Sequence, residues 1–104
     1  MENYKGVEFD KEKDSLSISF VLFKDEFCSN CKDVEYILEE IKNLGAPVYK
    51  IDVNKHNDLL DKYSVSETPT VIVFRNGRIL SVLAGAAHQK EEYLAYMCYF
   101  DPIS

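Results

Sequence analysis

The chain has 104 residues, 46% hydrophobic and 29% charged, a globular composition long enough for one core and too short for two. Twelve Lys and Arg against eighteen Asp and Glu leave a net charge of −6, which argues against nucleic acid and anionic membranes as partners. No apolar run approaches the roughly 18 residues of a spanning helix, and Met1 to Asp14 alternates charge where a signal peptide would be apolar; the expectation is a soluble, cytoplasmic single domain over residues 1–104.

In chain order, Met1 to Ser15 is polar apart from Tyr4, Val7 and Phe9, with room for one short strand and a charged turn. Leu16 to Phe23 begins with alternation at Leu16, Ile18 and Phe20 and becomes continuously apolar through Phe23, the pattern of a central strand covered on both faces. From Asn30 onward Val34, Ile37, Leu38, Ile41 and Leu44 recur at helical spacing, with Asp33, Glu35, Glu39, Glu40 and Lys42 on the other side and Gly45 and Pro47 closing the segment. Val48 to Val53 alternates as a strand, and Leu59, Leu60 and Tyr63 mark a short helix with Asn54 or Asn57 as its cap. Thr70 to Phe74 and Ile79 to Ala84 flank Arg75-Asn76-Gly77-Arg78, whose Asn-Gly pair supplies the two positive-φ residues of a tight hairpin. Tyr93, Leu94, Met97 and Phe100 line a C-terminal helix after Gln89-Lys90-Glu91-Glu92. The order (β)-β-α-β-α-β-β-α, with parallel crossovers and a closing antiparallel hairpin, predicts an α/β fold: a central mixed sheet of four to five strands with helices on both faces.

Three cysteines in a chain without a secretory signal point to redox or metal chemistry rather than to a disulfide framework. Cys28-Ser29-Asn30-Cys31 lies between the buried strand and the longest helix, so Cys28 falls at or just before a helix N-terminus. Unpaired backbone N–H groups and about half a positive charge there favour a thiolate. Cys28 is the candidate nucleophile, and Cys31, within one turn, is the candidate resolving thiol. Two buried structural cysteines, or a metal or iron–sulfur site shared across a dimer, are the competing readings. A zinc site needs two further ligands, and His56, His88 and Cys98 form no second close pair, so no metal site is assigned.

Four features together resemble the thioredoxin family, over about residues 16 to 100: Phe27-Cys28-Ser29-Asn30-Cys31-Lys32 after an apolar strand, Val65-Ser66-Glu67-Thr68-Pro69-Thr70-Val71, the Phe74-Arg75-Asn76-Gly77 hairpin, and Gly85 after the last strand. The resemblance implies a thioredoxin fold and a thiol-disulfide oxidoreductase that reduces protein disulfides with Cys28 and Cys31 as its catalytic pair. It implies no cofactor beyond the redox-active Cys28–Cys31 disulfide. It also implies a cis Pro69 beside the thiols, with the backbone around Thr68 receiving the substrate chain, and Phe27, Ser29, Asn30 and Lys50 as supporting residues. Protein disulfides, and a thioredoxin-reductase-like or small-thiol reductant, are the implied partners of a monomeric chain.

The sequence also departs from the family pattern. Ser29-Asn30 replaces the usual Gly-Pro, Phe27 stands where a tryptophan usually does, and the opening is shorter than the family's strand-helix start. Leu22, six residues before Cys28, takes the place of a buried aspartate, while Lys50 matches the lysine that neighbours it. These departures keep open a second class of function, a thioredoxin-fold binding or redox-sensing module without substantial turnover. Elsewhere Cys98 reads as packing on the last helix, and His56, His88 and the acidic helix face read as solvated surface. Glu26 reads as solvated, with Lys24 and Lys32 bracketing the thiols as cations.

Overall fold

The computed structural model describes residues 2–3, 18–25, 28 and 30–99, with side chains described within 18–25, 28 and 30–97. Glu26, Phe27, Ser29, Phe100, the side chain of Cys98 and the expectations placed on residues 4–17 lie outside this set. The elements are β1 (Glu2–Asn3), β2 (Ser19–Lys24), α1 (Cys31–Asn43), β3 (Val48–Asp52), α2 (Asn57–Lys62), β4 (Thr70–Arg75), β5 (Arg78–Ala84) and α3 (Lys90–Ala95), the last running into a 3₁₀ turn at Tyr96–Tyr99. The strands form one mixed sheet in the order β1-β3-β2-β4-β5.

β2 is central, as its unbroken apolar run requires, and strand alternation sends its side chains to two different cores. Ile18, Phe20 and Leu22 face a cluster built with Val34, Leu38 and Ile41 of α1, Val71 and Val73 of β4, and Tyr93 of α3. Val21 and Phe23 face the opposite cluster, with Ile51, Leu59 of α2, Ile72 and Phe74. Tyr63, at the end of α2, presents its ring edge-on to both Phe23 and Phe74, with centroids 6.2 and 5.5 Å away. Helices therefore cover both faces of the sheet.

Three local expectations change. The β2-α1-β3 unit is parallel, but β4 runs antiparallel to β2, so the antiparallel half of the sheet begins at β4 and not at the closing hairpin. Six helical residues rise only about 9 Å, too little to carry the chain back along the sheet, so β4 starts at the end where β3 stops. At α2, His56 occupies the N-cap position without making a side-chain cap bond, Asn57 is the first helical residue, and Asn54 hydrogen-bonds elsewhere. Leu44 keeps the helical spacing of α1 but is 61% exposed, because Gly45 at φ +106° turns the chain out of the helix just beyond it. The hairpin forms as expected, with Asn76 and Gly77 at φ +53° and +81° and a register shift between Val73 and Phe74.

This topology gathers the chemistry at one end of the sheet. Phe23 of β2 pairs with Ile51 of β3 and Thr70 of β4, and Thr70 pairs in turn with Ala84 of β5. The segments leaving β2, β3 and β5 and the one entering β4, which carry Cys28, Asn54, Gly85 and Pro69, therefore emerge side by side.

Candidate active site

Cys28 and Cys31 form a disulfide with their Cα atoms 5.3 Å apart. Cys31 is the first residue of α1 and is buried at 2% exposure, anchored by its place on the core side of the helix; Cys28, three residues earlier, is half-buried. The Cys28 N–H donates to the Asp25 carbonyl (3.1 Å), and the Cys31 N–H donates to the Cys28 carbonyl (3.3 Å). Asn30 sits exposed at the N-cap position and makes no side-chain cap bond, so the first turn of α1 keeps N–H groups that its cap does not occupy. The more accessible sulfur thus lies outside the helix start, and the less accessible one is part of it.

The approach to Cys28 is tied to its neighbour. The Val53 N–H donates to the Lys24 carbonyl (2.9 Å), and the Asn54 side-chain amide donates to the Asp25 carboxylate (3.2 Å). Sequence reasoning passed over Asp25 and read Asn54 only as a candidate helix cap, since their contact joins residues far apart in the chain. Lys24, read as a cation bracketing the thiols, is instead committed to Glu35 of α1, Nζ to Oε1 at 2.6 Å. Lys32 is exposed in the first turn of α1. Glu35 and Glu40 also leave the solvated acidic face, Glu40 by pairing with Lys90 at the start of α3, where its carboxylate raises the Lys90 ammonium above its ordinary value.

Leu22 is fully buried, and Lys50, half-buried, is its register partner on β3. On the other flank the Thr68–Pro69 bond is cis, as the resemblance implies; Pro69 is buried and Thr68 half-buried. The Thr70 hydroxyl donates to the Glu67 carbonyl (2.7 Å), and the Gly85 N–H donates to the Pro69 carbonyl (2.8 Å), so this segment is held from both ends.

His88, read from sequence as solvated, is a bound residue. Its Nδ1 lies 2.6 Å from the Glu92 carboxylate and its Nε2 2.9 Å from the Ala84 carbonyl. The carboxylate, more than the carbonyl, holds the imidazole above its ordinary value, and the same bond holds Glu92 below its own. The signal available was the four-residue spacing of His88 and Glu92 at a helix start. His56 lies at the start of α2, away from the Cys28–Cys31 pair in sequence, and among the described residues no three His, Cys, Asp or Glu side chains converge as a metal site.

Comparison with known proteins agrees with this geometry. The Thioredoxin family model matches residues 2–98. Thioredoxin-1 of Drosophila yakuba is 35% identical over 71 residues, 65% of this chain and 66% of that one. The thioredoxin of Rickettsia bellii is 31% identical over 96 residues, 89% of this chain and 90% of that one. A mutant thioredoxin from Halobacterium salinarum shares the fold at a TM-score of 0.85 with 21% sequence identity, over 100% of this chain and 93% of that one. The chain belongs to the thioredoxin family of thiol-disulfide oxidoreductases.

Proposed function

We propose that the protein reduces disulfides of other proteins, with Cys28 as the attacking thiol and Cys31 as the resolving thiol. The observation that carries this reading is the asymmetry of the pair: a half-buried sulfur ahead of the helix start, bonded to one at 2% exposure within it. In the dithiol form, the Cys28 thiolate attacks one sulfur of the substrate disulfide, forming a mixed disulfide and releasing the other substrate sulfur as a thiolate that takes a proton. Cys31, after losing its proton, attacks the Cys28 sulfur and displaces the second substrate thiolate. The products are a reduced substrate with two thiols and the Cys28–Cys31 disulfide, so two electrons and two protons pass to the substrate. A reductase or a small thiol returns them.

In this reading the helix start favours negative charge on Cys28. Thr68 and Pro69 form the backbone ledge for the substrate chain, Asn30 shapes the helix entrance, and Lys50 tunes the buried side. Phe27 and Ser29, the sequence neighbours of Cys28, are the remaining supporting residues of this reading. No resident cofactor is required, the chain acts as a monomer, and its setting is cytoplasmic redox homeostasis. The described residues include no helix long and apolar enough to cross a membrane.

A second reading, a docking module that keeps the fold without turnover, draws on Leu22, whose buried apolar side chain offers Cys31 no proton acceptor. Reduction of insulin by dithiothreitol separates the two. The oxidoreductase accelerates it catalytically and loses the effect on Cys28→Ser and on Cys31→Ser, whereas a docking module leaves the uncatalysed rate unchanged.

A further inference from the structure

Ala84 O and Gly85 N–H belong to one peptide group, and both of its ends are engaged. The oxygen accepts from His88 Nε2 at 2.9 Å, and the N–H donates to the Pro69 carbonyl at 2.8 Å. With Glu92 Oε2 at 2.6 Å from His88 Nδ1, a single hydrogen-bonded chain runs from the Glu92 carboxylate through the imidazole and the Ala84–Gly85 peptide group to Pro69. We infer that His88 is a positioning residue for the substrate ledge, holding the Pro69 carbonyl through that peptide group. The inference rests on the reading of Thr68-Pro69 as the backbone that receives substrate.

The chemistry of the imidazole makes this link proton-dependent. Both His88 nitrogens face acceptors, a carboxylate and a carbonyl, and only the imidazolium carries a donor on each. A neutral ring satisfies one of them and turns a lone pair toward the other. Donation into a peptide oxygen polarises the same peptide group and strengthens its N–H as a donor, because hydrogen bonds in series are cooperative. Protonation of His88 therefore tightens the Gly85-to-Pro69 bond, and deprotonation loosens it. Glu92 is the charged side chain acting on the ring, and its carboxylate keeps the imidazolium favoured above its ordinary range. From the Pro69 segment, Glu67 places its Oε1 4.0 Å from the position a Gly85 Cβ would take. Lys90, the neighbouring cation on α3, is drawn away by Glu40. Gly85 itself, at φ +84°, is the residue that lets the chain turn from β5 so that the peptide on its amide side bridges His88 and Pro69.

The effect falls on substrate docking and not on thiol chemistry, so it separates in KM and kcat. The test uses the folded wild-type protein, His88→Ala and Glu92→Gln, each checked by circular dichroism. The first readout is NMR: the wild-type Gly85 amide proton shift titrates with the midpoint of the His88 ring nitrogens, and Glu92→Gln moves both midpoints to lower pH together. The second is insulin reduction across the same pH range. The wild-type KM rises about fivefold as His88 loses its proton, the factor expected for one hydrogen bond, while His88→Ala has the higher KM at every pH and an unchanged kcat. A Gly85 amide that stays silent through the His88 titration, or identical KM profiles for wild type and His88→Ala, overturns the inference. Failure of the wild-type protein to reduce insulin at any pH would contradict the proposed function instead, and the amide titration still decides the link.

Discussion

Leu22 on β2 and Lys50 on β3 are register partners in a parallel pair, so their side chains leave the same face of the sheet, one fully buried and the other half-buried. A lysine is thus directed along the surface of an apolar residue at the very position where the resemblance leads one to look for a buried carboxylate. The consequence concerns the proton on Cys31. Burial raises a thiol's pKa, and with Leu22 supplying no proton acceptor Cys31 gives its proton to water or to another base before resolving the mixed disulfide.

Leu22→Asp tests this directly. A carboxylate in the apolar cluster destabilises the fold by about 2–4 kcal/mol, lessened where Lys50 reaches it. The folded variant reduces insulin faster than wild type below about pH 8, where proton removal limits the reaction, and the two pH–rate profiles converge above it. Superimposable profiles would show that Cys31 deprotonation is not limiting.

In the reduced protein, iodoacetamide modifies Cys28 roughly tenfold or more faster than Cys31 near neutral pH, since one sulfur is half-buried ahead of the helix and the other is 2% exposed within it. Peptide mapping after timed quenching reads the ratio, and the reverse order contradicts the assignment of roles.

The His88–Glu92 pair sets a window of pH-dependent stability. His88 is raised above its ordinary 6.5, so its contribution is fully present below about that pH and is lost as pH climbs through the raised value. Glu92 is lowered below its ordinary 4.5, so its contribution is present above that pH and is lost as pH falls through the lowered value. Urea midpoints measured from pH 3 to 9 should peak between the two for wild type relative to His88→Ala, whose profile lacks the decline above pH 6.5.

Tyr93 is fully buried and its hydroxyl has no hydrogen-bond partner among the described residues, with burial pushing the phenol up to about 12. An unpaired buried hydroxyl is a destabilising group, so Tyr93→Phe should raise stability by about 1 kcal/mol without a change in insulin reduction. Denaturant unfolding of the two proteins supplies the comparison, and a loss of stability would mean that the hydroxyl is satisfied in solution.

What the sequence disclosed and what it withheld divide along physical lines. α1 was legible because Val34, Leu38 and Ile41 repeat at the period of a helix with one buried face, and the β4–β5 hairpin because Asn76-Gly77 supplies positive φ where few residues do. The cysteine pair was legible because its spacing and its place between strand and helix are local facts. The direction of β4 was not, since a strand-helix-strand rhythm does not record whether the connecting helix is long enough to recross the sheet. Leu44 misled because periodicity continues past the glycine that ends the helix. Asp25 with Asn54, Lys24 with Glu35 and His88 with Ala84 depend on how segments meet after folding, and single residue types carry no mark of those meetings.

The most direct measurement of the central claim is capture of the mixed disulfide. Cys31→Ser, reduced and mixed with insulin, should accumulate a covalent adduct that mass spectrometry places on Cys28 and that dithiothreitol dissolves, whereas Cys28→Ser should accumulate little or none. An adduct on Cys31 in the Cys28→Ser protein, with none on Cys28 in its counterpart, would reverse the roles assigned to the two sulfurs, and absence of adduct from both would contradict disulfide exchange as the activity of this site.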